Sequence, residues 1–153
     1  MADDFTDLIA ELSDWNDGAG IDADGWICCM GNYELAAGYS LIFWPRFVRF
    51  DRYVLREGFS EDSLRSFAAA PSATRKSVEW VMNHEHIADI HSNVTNATEA
   101  QLRYLGRTLA EIYRVKLRAD FPDLRFEVGF NDEPGLDLID YQLSFWQAAG
   151  EAD

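Results

Sequence analysis

Residues 26–56, WICCMGNYELAAGYSLIFWPRFVRFDRYVLR, decide how the chain reads. They are dense in aromatic and β-branched residues and broken by Gly31, Gly38 and Pro45. That pattern predicts strands near 26–30, 33–43, 46–50 and 53–57. Asp51 and Arg52 fit a tight turn between the last two, and Pro45 fits an edge or a bulge. Upstream, Phe5, Leu8, Ile9, Leu12 and Trp15 recur at three- and four-residue steps behind Asp3, Asp4 and Asp7. Acids in a first turn suit the helix dipole, so an amphipathic N-terminal helix is expected, ending near Asn16 to Gly20.

Downstream the period changes. Ser60 is an expected N-cap for a short helix over 61–70, stopped by Pro71. A second helix is expected to start after Ser72 or Thr74 and to carry EWVMNHEHIADIH, residues 79–91. Its first turn holds Arg75 and Lys76, the wrong sign for a helix N-terminus, which would suit a docked anion or acidic segment. Thr98 with Gln101, or Asn96 with Glu99, makes a capping box that opens a long helix through Leu117, with Gly106 allowing close packing. After Pro122, Leu124, Phe126, Val128 and Phe130 alternate, and so do Ile139, Tyr141, Leu143 and Phe145 beyond the turn NDEPGLD at 131–137. These predict a terminal hairpin. Strands and helices in separate blocks indicate the α+β class: a mainly antiparallel sheet of about five to six strands, with an N-terminal helix and a central block of three helices packed on one face. At 153 residues, one globular domain is the expectation.

The composition, 48% hydrophobic and 14% aromatic, supplies a core and excludes a disordered chain. No apolar run approaches the roughly 20 residues of a membrane helix, and the N-terminus is acidic where a signal peptide is basic, so a cytoplasmic protein of bacterial type is expected. Cys28 and Cys29 are adjacent; on a strand they would point to opposite faces, which makes a mutual disulfide strained and reduced thiols the expectation.

The net charge of −14 is segregated. Residues 1–45 carry nine acids and no Lys or Arg, residues 46–118 twelve bases and nine acids, and residues 119–153 nine acids and one base. An acidic field of this kind repels nucleic acid and steers basic partners. Arg46, Arg49, Arg52 and Arg56 do alternate with Trp44, Phe47, Phe50 and Tyr53, as in a base-stacking platform. They do not share one strand parity, and pairing with the abundant acids is the simpler expectation. The DxDG of Asp22 to Gly25 resembles part of a calcium loop, but Gly20 and Gly31 occupy the places of the first ligand and the closing acid.

All three histidines fall within 84–91. On a continuous helix, at 100° per residue, His84 and His91 share the face of Trp80 and Val81, whereas His86 points away beside Glu79, Asn83 and Ile90. His84 and His91 are then about 10 Å apart along the axis, too far for one metal ion with bonds to nitrogen of about 2 Å. A metal site survives only if the helix breaks near Asn83, because HxH on a strand puts His84 and His86 on one face. No nucleophile elbow and no phosphate-binding glycine loop is present.

In size and acidity the chain resembles small bacterial immunity or inhibitor proteins that mask basic toxic enzymes; the likeness is compositional and rests on no motif. It implies a non-catalytic binding module without cofactor or metal. Such a module would present Asp17, Asp22, Asp24, Asp132, Glu133 and Asp137 to a basic protein partner, and neither to nucleic acid nor to a membrane. The alternative is an enzyme or metal-dependent hydrolase using His84, His86, Asp89 and His91, or a small-ligand binder using the same pocket. Oligomeric state is not legible.

Overall fold

The computed structural model describes residues 5–92 and 96–149. Within them the α+β class holds, with six helices and five strands in two antiparallel sheets. The chain divides into two compact units, residues 1–40 and 41–153.

In the first unit, 3-10 turns at Phe5–Asp7 and Ala10–Ser13 replace the expected N-terminal helix; Asp3 and Asp4 lie outside the described residues. The single turn α1 (Trp15–Gly18) follows, with Asn16 and Asp17 in the left-handed region at φ 54° and 56°, which these short polar residues tolerate. The Asn16 amide donates to the Gly20 carbonyl at 2.8 Å, and the Ile21 N–H donates to the carbonyl of buried Leu12 at 2.9 Å.

The strands expected at 26–30 and 33–43 are helices α2 (Ala23–Met30) and α3 (Tyr33–Phe43). Their N-caps override β-propensity. The Asp22 carboxylate accepts from the Gly25 N–H at 2.7 Å, and the Asn32 side-chain oxygen accepts from the Leu35 N–H at 2.8 Å, each satisfying an orphan donor of the first turn. The run Glu34-Leu35-Ala36-Ala37 is made of strong helix formers. The DxDG fragment is thus a helix cap, and the cysteines are exposed free thiols on α2.

The second unit opens with the hairpin β1 (Phe47–Phe50) and β2 (Tyr53–Arg56), paired from Phe47 with Arg56 to Phe50 with Tyr53. Its two-residue turn places Asp51 at φ 54°. Helix α4 (Glu61–Ala68) is capped by Ser60. Helix α5 (Arg75–Met82) opens on a Thr74–Ser77 capping box and α6 (Glu99–Asp120) on the Thr98–Gln101 box. The second sheet runs β3 (Glu85–His86), β5 (Gln142–Gln147), β4 (Phe126–Phe130), all antiparallel.

The terminal hairpin is as the alternation predicts: Tyr141, Leu143 and Phe145 are buried, and only Ile139 departs, being exposed. Phe47 stands edge-on to Tyr113 and Phe145, with ring centroids 5.2 and 4.8 Å apart, joining the first hairpin to the main core. Gly106 on α6 lies against the Phe130 ring, where any β-carbon would overlap it.

Helix α5 corrects the expected orientation. Its buried side carries polar residues beside Val78: Glu79 and Asn83 are almost wholly inaccessible, while Trp80, expected inward, is about half exposed. Four residues apart, Glu79 and Asn83 lie on one face and join β2 to β5. The Glu79 carboxylate accepts from the Val54 N–H at 2.8 Å, the Gln147 N–H at 2.7 Å and the Gln147 side-chain amide at 2.5 Å. The Asn83 amide donates to the Val54 and Phe145 carbonyls at 3.0 and 3.2 Å, and its oxygen accepts from the Arg56 N–H at 3.2 Å.

Burial pushes the Glu79 carboxyl above its ordinary value of 4.5, and the hydrogen bonds from Gln147 and Val54 oppose that push without cancelling it. Removing the side chain leaves the Val54 and Gln147 N–H groups buried without an acceptor, so Glu79→Ala should destabilise by about 2–3 kcal/mol in chemical denaturation; unchanged stability would remove this network from the account. The raised carboxyl binds its proton more tightly folded than unfolded. Its contribution is therefore full below pH 4.5 and falls as pH rises through the folded value, a slope that Glu79→Gln should abolish.

Candidate functional site

Two places stand out, one on each unit. On the second unit, α5 ends at Met82 because Asn83 is drawn into the sheets at φ −101°, ψ 3°. The chain then becomes extended at Glu85–His86. This is the break that the helical reading of 79–91 required for any histidine pair, and it removes the continuous helix on which His84 and His91 shared a core face.

Extended alternation sends Glu85 one way and its neighbouring histidines the other. Glu85 pairs with Arg56 and accepts from the Tyr113 hydroxyl at 2.6 Å. Burial pushes that hydroxyl up to about 12, so it remains a donor. On the other side, His84 and His86 are both half-buried and their Nε2 atoms lie 3.3 Å apart. His84 Nδ1 is 2.9 Å from the Val81 carbonyl oxygen, and His86 Nδ1 is 2.6 Å from that of Ile139. A carbonyl only accepts, so each Nδ1 carries a ring proton, and the two Nε2 atoms are turned toward each other. Trp80 stacks on His84 at 6.2 Å and 11°.

The other two residues of the expected cluster lie on the segment that follows. Asp89 is exposed on the 3-10 turn Ile87–Ile90, and His91 is exposed just beyond it. Among the described residues, no group of three or more His, Cys, Asp or Glu is arranged to hold a metal ion.

The second place is on the first unit. No residue of α2 is buried, and residues 31–38 are exposed without interruption. Ile27 (57%), Met30 (53%), Tyr33 (95%) and Leu35 (48%) are open to solvent. At 100° per residue, consecutive exposed positions from Tyr33 to Gly38 cover the whole circumference of the first half of α3, whereas Tyr39, Ile42 and Phe43 are partly buried. Large apolar side chains clustered in the open, as here, mark a surface that a partner covers. Aromatic and β-branched density, read as β, had hidden this feature; the caps Asp22 and Asn32 were the signal that could have revealed it.

The acidic candidates separate by use. Asp17 and Asp24 are exposed on the first unit, and Asp22 is engaged as the cap of α2. On the second unit, Glu133 and Asp137 are exposed. Asp132 is held by Arg107 at 2.6 and 3.0 Å and by Arg103 at 2.8 Å. Those hydrogen bonds, Arg107 first, keep its carboxyl below the usual range.

The arginine stripe is largely engaged in the same way. Arg46 pairs with Glu57, Arg49 with Asp123 and Arg56 with Glu85, while Arg52 donates to the Tyr53 hydroxyl. The wrong-sign first turn of α5 is also accounted for: Arg75 donates to the Ala148 carbonyl, and Lys76 sits 5.0 Å above the Trp146 ring. An open groove of about 730 Å³ lies between the end of α6 and the β4–β5 hairpin, lined by Arg114, Arg118, Arg125 and Trp146 among others. It arises from tertiary packing and left no mark in the local sequence.

No protein-family model, no curated protein and no solved structure matches the chain.

Proposed function

We propose that the chain is a non-catalytic protein-binding module whose docking face is the exposed surface of α2 and the first half of α3, closed by a partner with an apolar strip and basic flanks. The observation that carries this reading is the exposure of Ile27, Met30, Tyr33 and Leu35 on helices with no Lys or Arg nearby in sequence. Covering such side chains gains roughly 25 cal/mol per Å² of apolar surface removed from water. Asp17 and Asp24, with the other acids of residues 1–45, supply the charge that selects the partner.

Two other occupants fit less well. A second copy docked through the same face would bring acid against acid in a two-fold contact. A membrane surface calls for Lys and Arg around the apolar face, because cellular lipid surfaces are anionic. Among the described residues, no helix is long and apolar enough to cross a bilayer. The acidic masking surface of small immunity or inhibitor proteins is the functional type that this arrangement supports.

Affinity capture with the intact chain, followed by identification of what is bound, tests the reading. The expected partner is basic, its complex weakens steeply between low and high salt, and Met30→Ser or Tyr33→Ser releases it without lowering the stability of the free chain. An acidic partner, a salt-insensitive complex, or binding indifferent to both substitutions would count against the proposal. Formation of a homodimer that both substitutions dissolve would assign the face to self-association instead.

A further inference from the structure

The histidine pair on the second unit has a geometry that the docking proposal does not use. Both imidazoles are locked by Nδ1–H donation to backbone carbonyls, so the two Nε2 atoms face each other at 3.3 Å. Two such nitrogens are satisfied either by a proton on one of them or by a metal cation held between them. Nitrogens bound to one tetrahedral zinc at about 2.0–2.1 Å stand about 3.3–3.4 Å apart.

The ring positions agree. With the imidazole centre about 1.15 Å behind its nitrogen, two rings converging on a tetrahedral ion have centroids about 5.2 Å apart, against about 5.6 Å for nitrogens aimed head-on. The observed centroid separation is 5.1 Å, with the rings inclined at 77°. Donation of the remote ring nitrogen to a carbonyl is also the usual support of a metal-bound histidine, because it fixes the tautomer and the ring orientation.

We propose that His84 and His86 form a two-histidine chelate for a zinc-class divalent cation, with the two remaining tetrahedral positions open to water or an exogenous ligand. Imidazole donors suit zinc, nickel and copper rather than magnesium or calcium, and a separation of 3.3 Å favours the tetrahedral member of that group. Two donors on one short extended segment make an exchangeable site, which distinguishes it from the closed four-ligand sites that hold a fold together.

The site separates cleanly from the fold by substitution. His84→Asn and His86→Asn each keep a side-chain N–H near the position of Nδ1, so the bonds to Val81 and Ile139 can persist while Nε2 is lost. Zn(II) titration by calorimetry and Co(II) titration by visible absorption should show binding in the wild type. Affinity should fall at least about tenfold in either Asn variant, stay unchanged in His91→Asn, and be accompanied by the intense visible bands of tetrahedral Co(II). Circular dichroism confirms that the variants fold. Absence of wild-type binding, binding unaffected in both Asn variants, or an equal loss in His91→Asn would overturn the assignment.

Discussion

The structure of the second unit depends on two polar side chains one helical turn apart. Strands β2 and β5 belong to different sheets, and their facing backbone groups are joined through α5. Glu79 accepts the N–H groups of Val54 and Gln147, and Asn83 gives its amide hydrogens to the carbonyls of Val54 and Phe145. A buried backbone group without a partner costs as much as a lost hydrogen bond. Each is satisfied here by a side chain positioned by a helix. The Gln147 side chain completes the arrangement by donating to both Glu79 and the Arg52 carbonyl.

The same constraint sets the geometry of the histidines. Because Asn83 must reach two strands, α5 cannot continue past Met82, and the chain leaves it extended. Extension brings β3 onto the free edge of β5, with Glu85 opposite Leu143 and His86 opposite Gln142. Only in that conformation can His84 and His86 turn their Nε2 atoms toward one another. The inward residue between them, Glu85, is held by Arg56 and Tyr113, which fixes the strand against α6. The chelate geometry is thus a consequence of how the two sheets are joined.

Much of this fold was legible where local chemistry acts alone. Ser60, Thr74 and Thr98 capped the helices expected of them, and the parity of Tyr141, Leu143 and Phe145 marked the buried face of β5. Asp51 and Arg52 closed the first hairpin, and Gly106 marked a close approach. Two readings failed for physical reasons. In residues 23–43, aromatic and β-branched content outweighed the caps Asp22 and Asn32, although a cap satisfies donors that propensity cannot. In residues 79–91, periodicity assigned the apolar side of the helix to the core. Polarity did not predict exposure, because Glu79 and Asn83 bond to strands 25 to 68 residues distant in sequence. The histidine site was legible only as a condition, the break at Asn83, whose cause is tertiary.

The most direct test of this account is amide hydrogen exchange at Val54 and Gln147, whose N–H groups point at the Glu79 carboxylate rather than at a neighbouring strand. In the wild type both should be protected as strongly as amides of the β4–β5 ladder. In Glu79→Ala they should lose more protection than those ladder amides do, and lose it together. Rapid exchange at Val54 and Gln147 in the wild type, or protection that Glu79→Ala leaves unchanged relative to the ladder, would contradict the claim that α5 joins the two sheets.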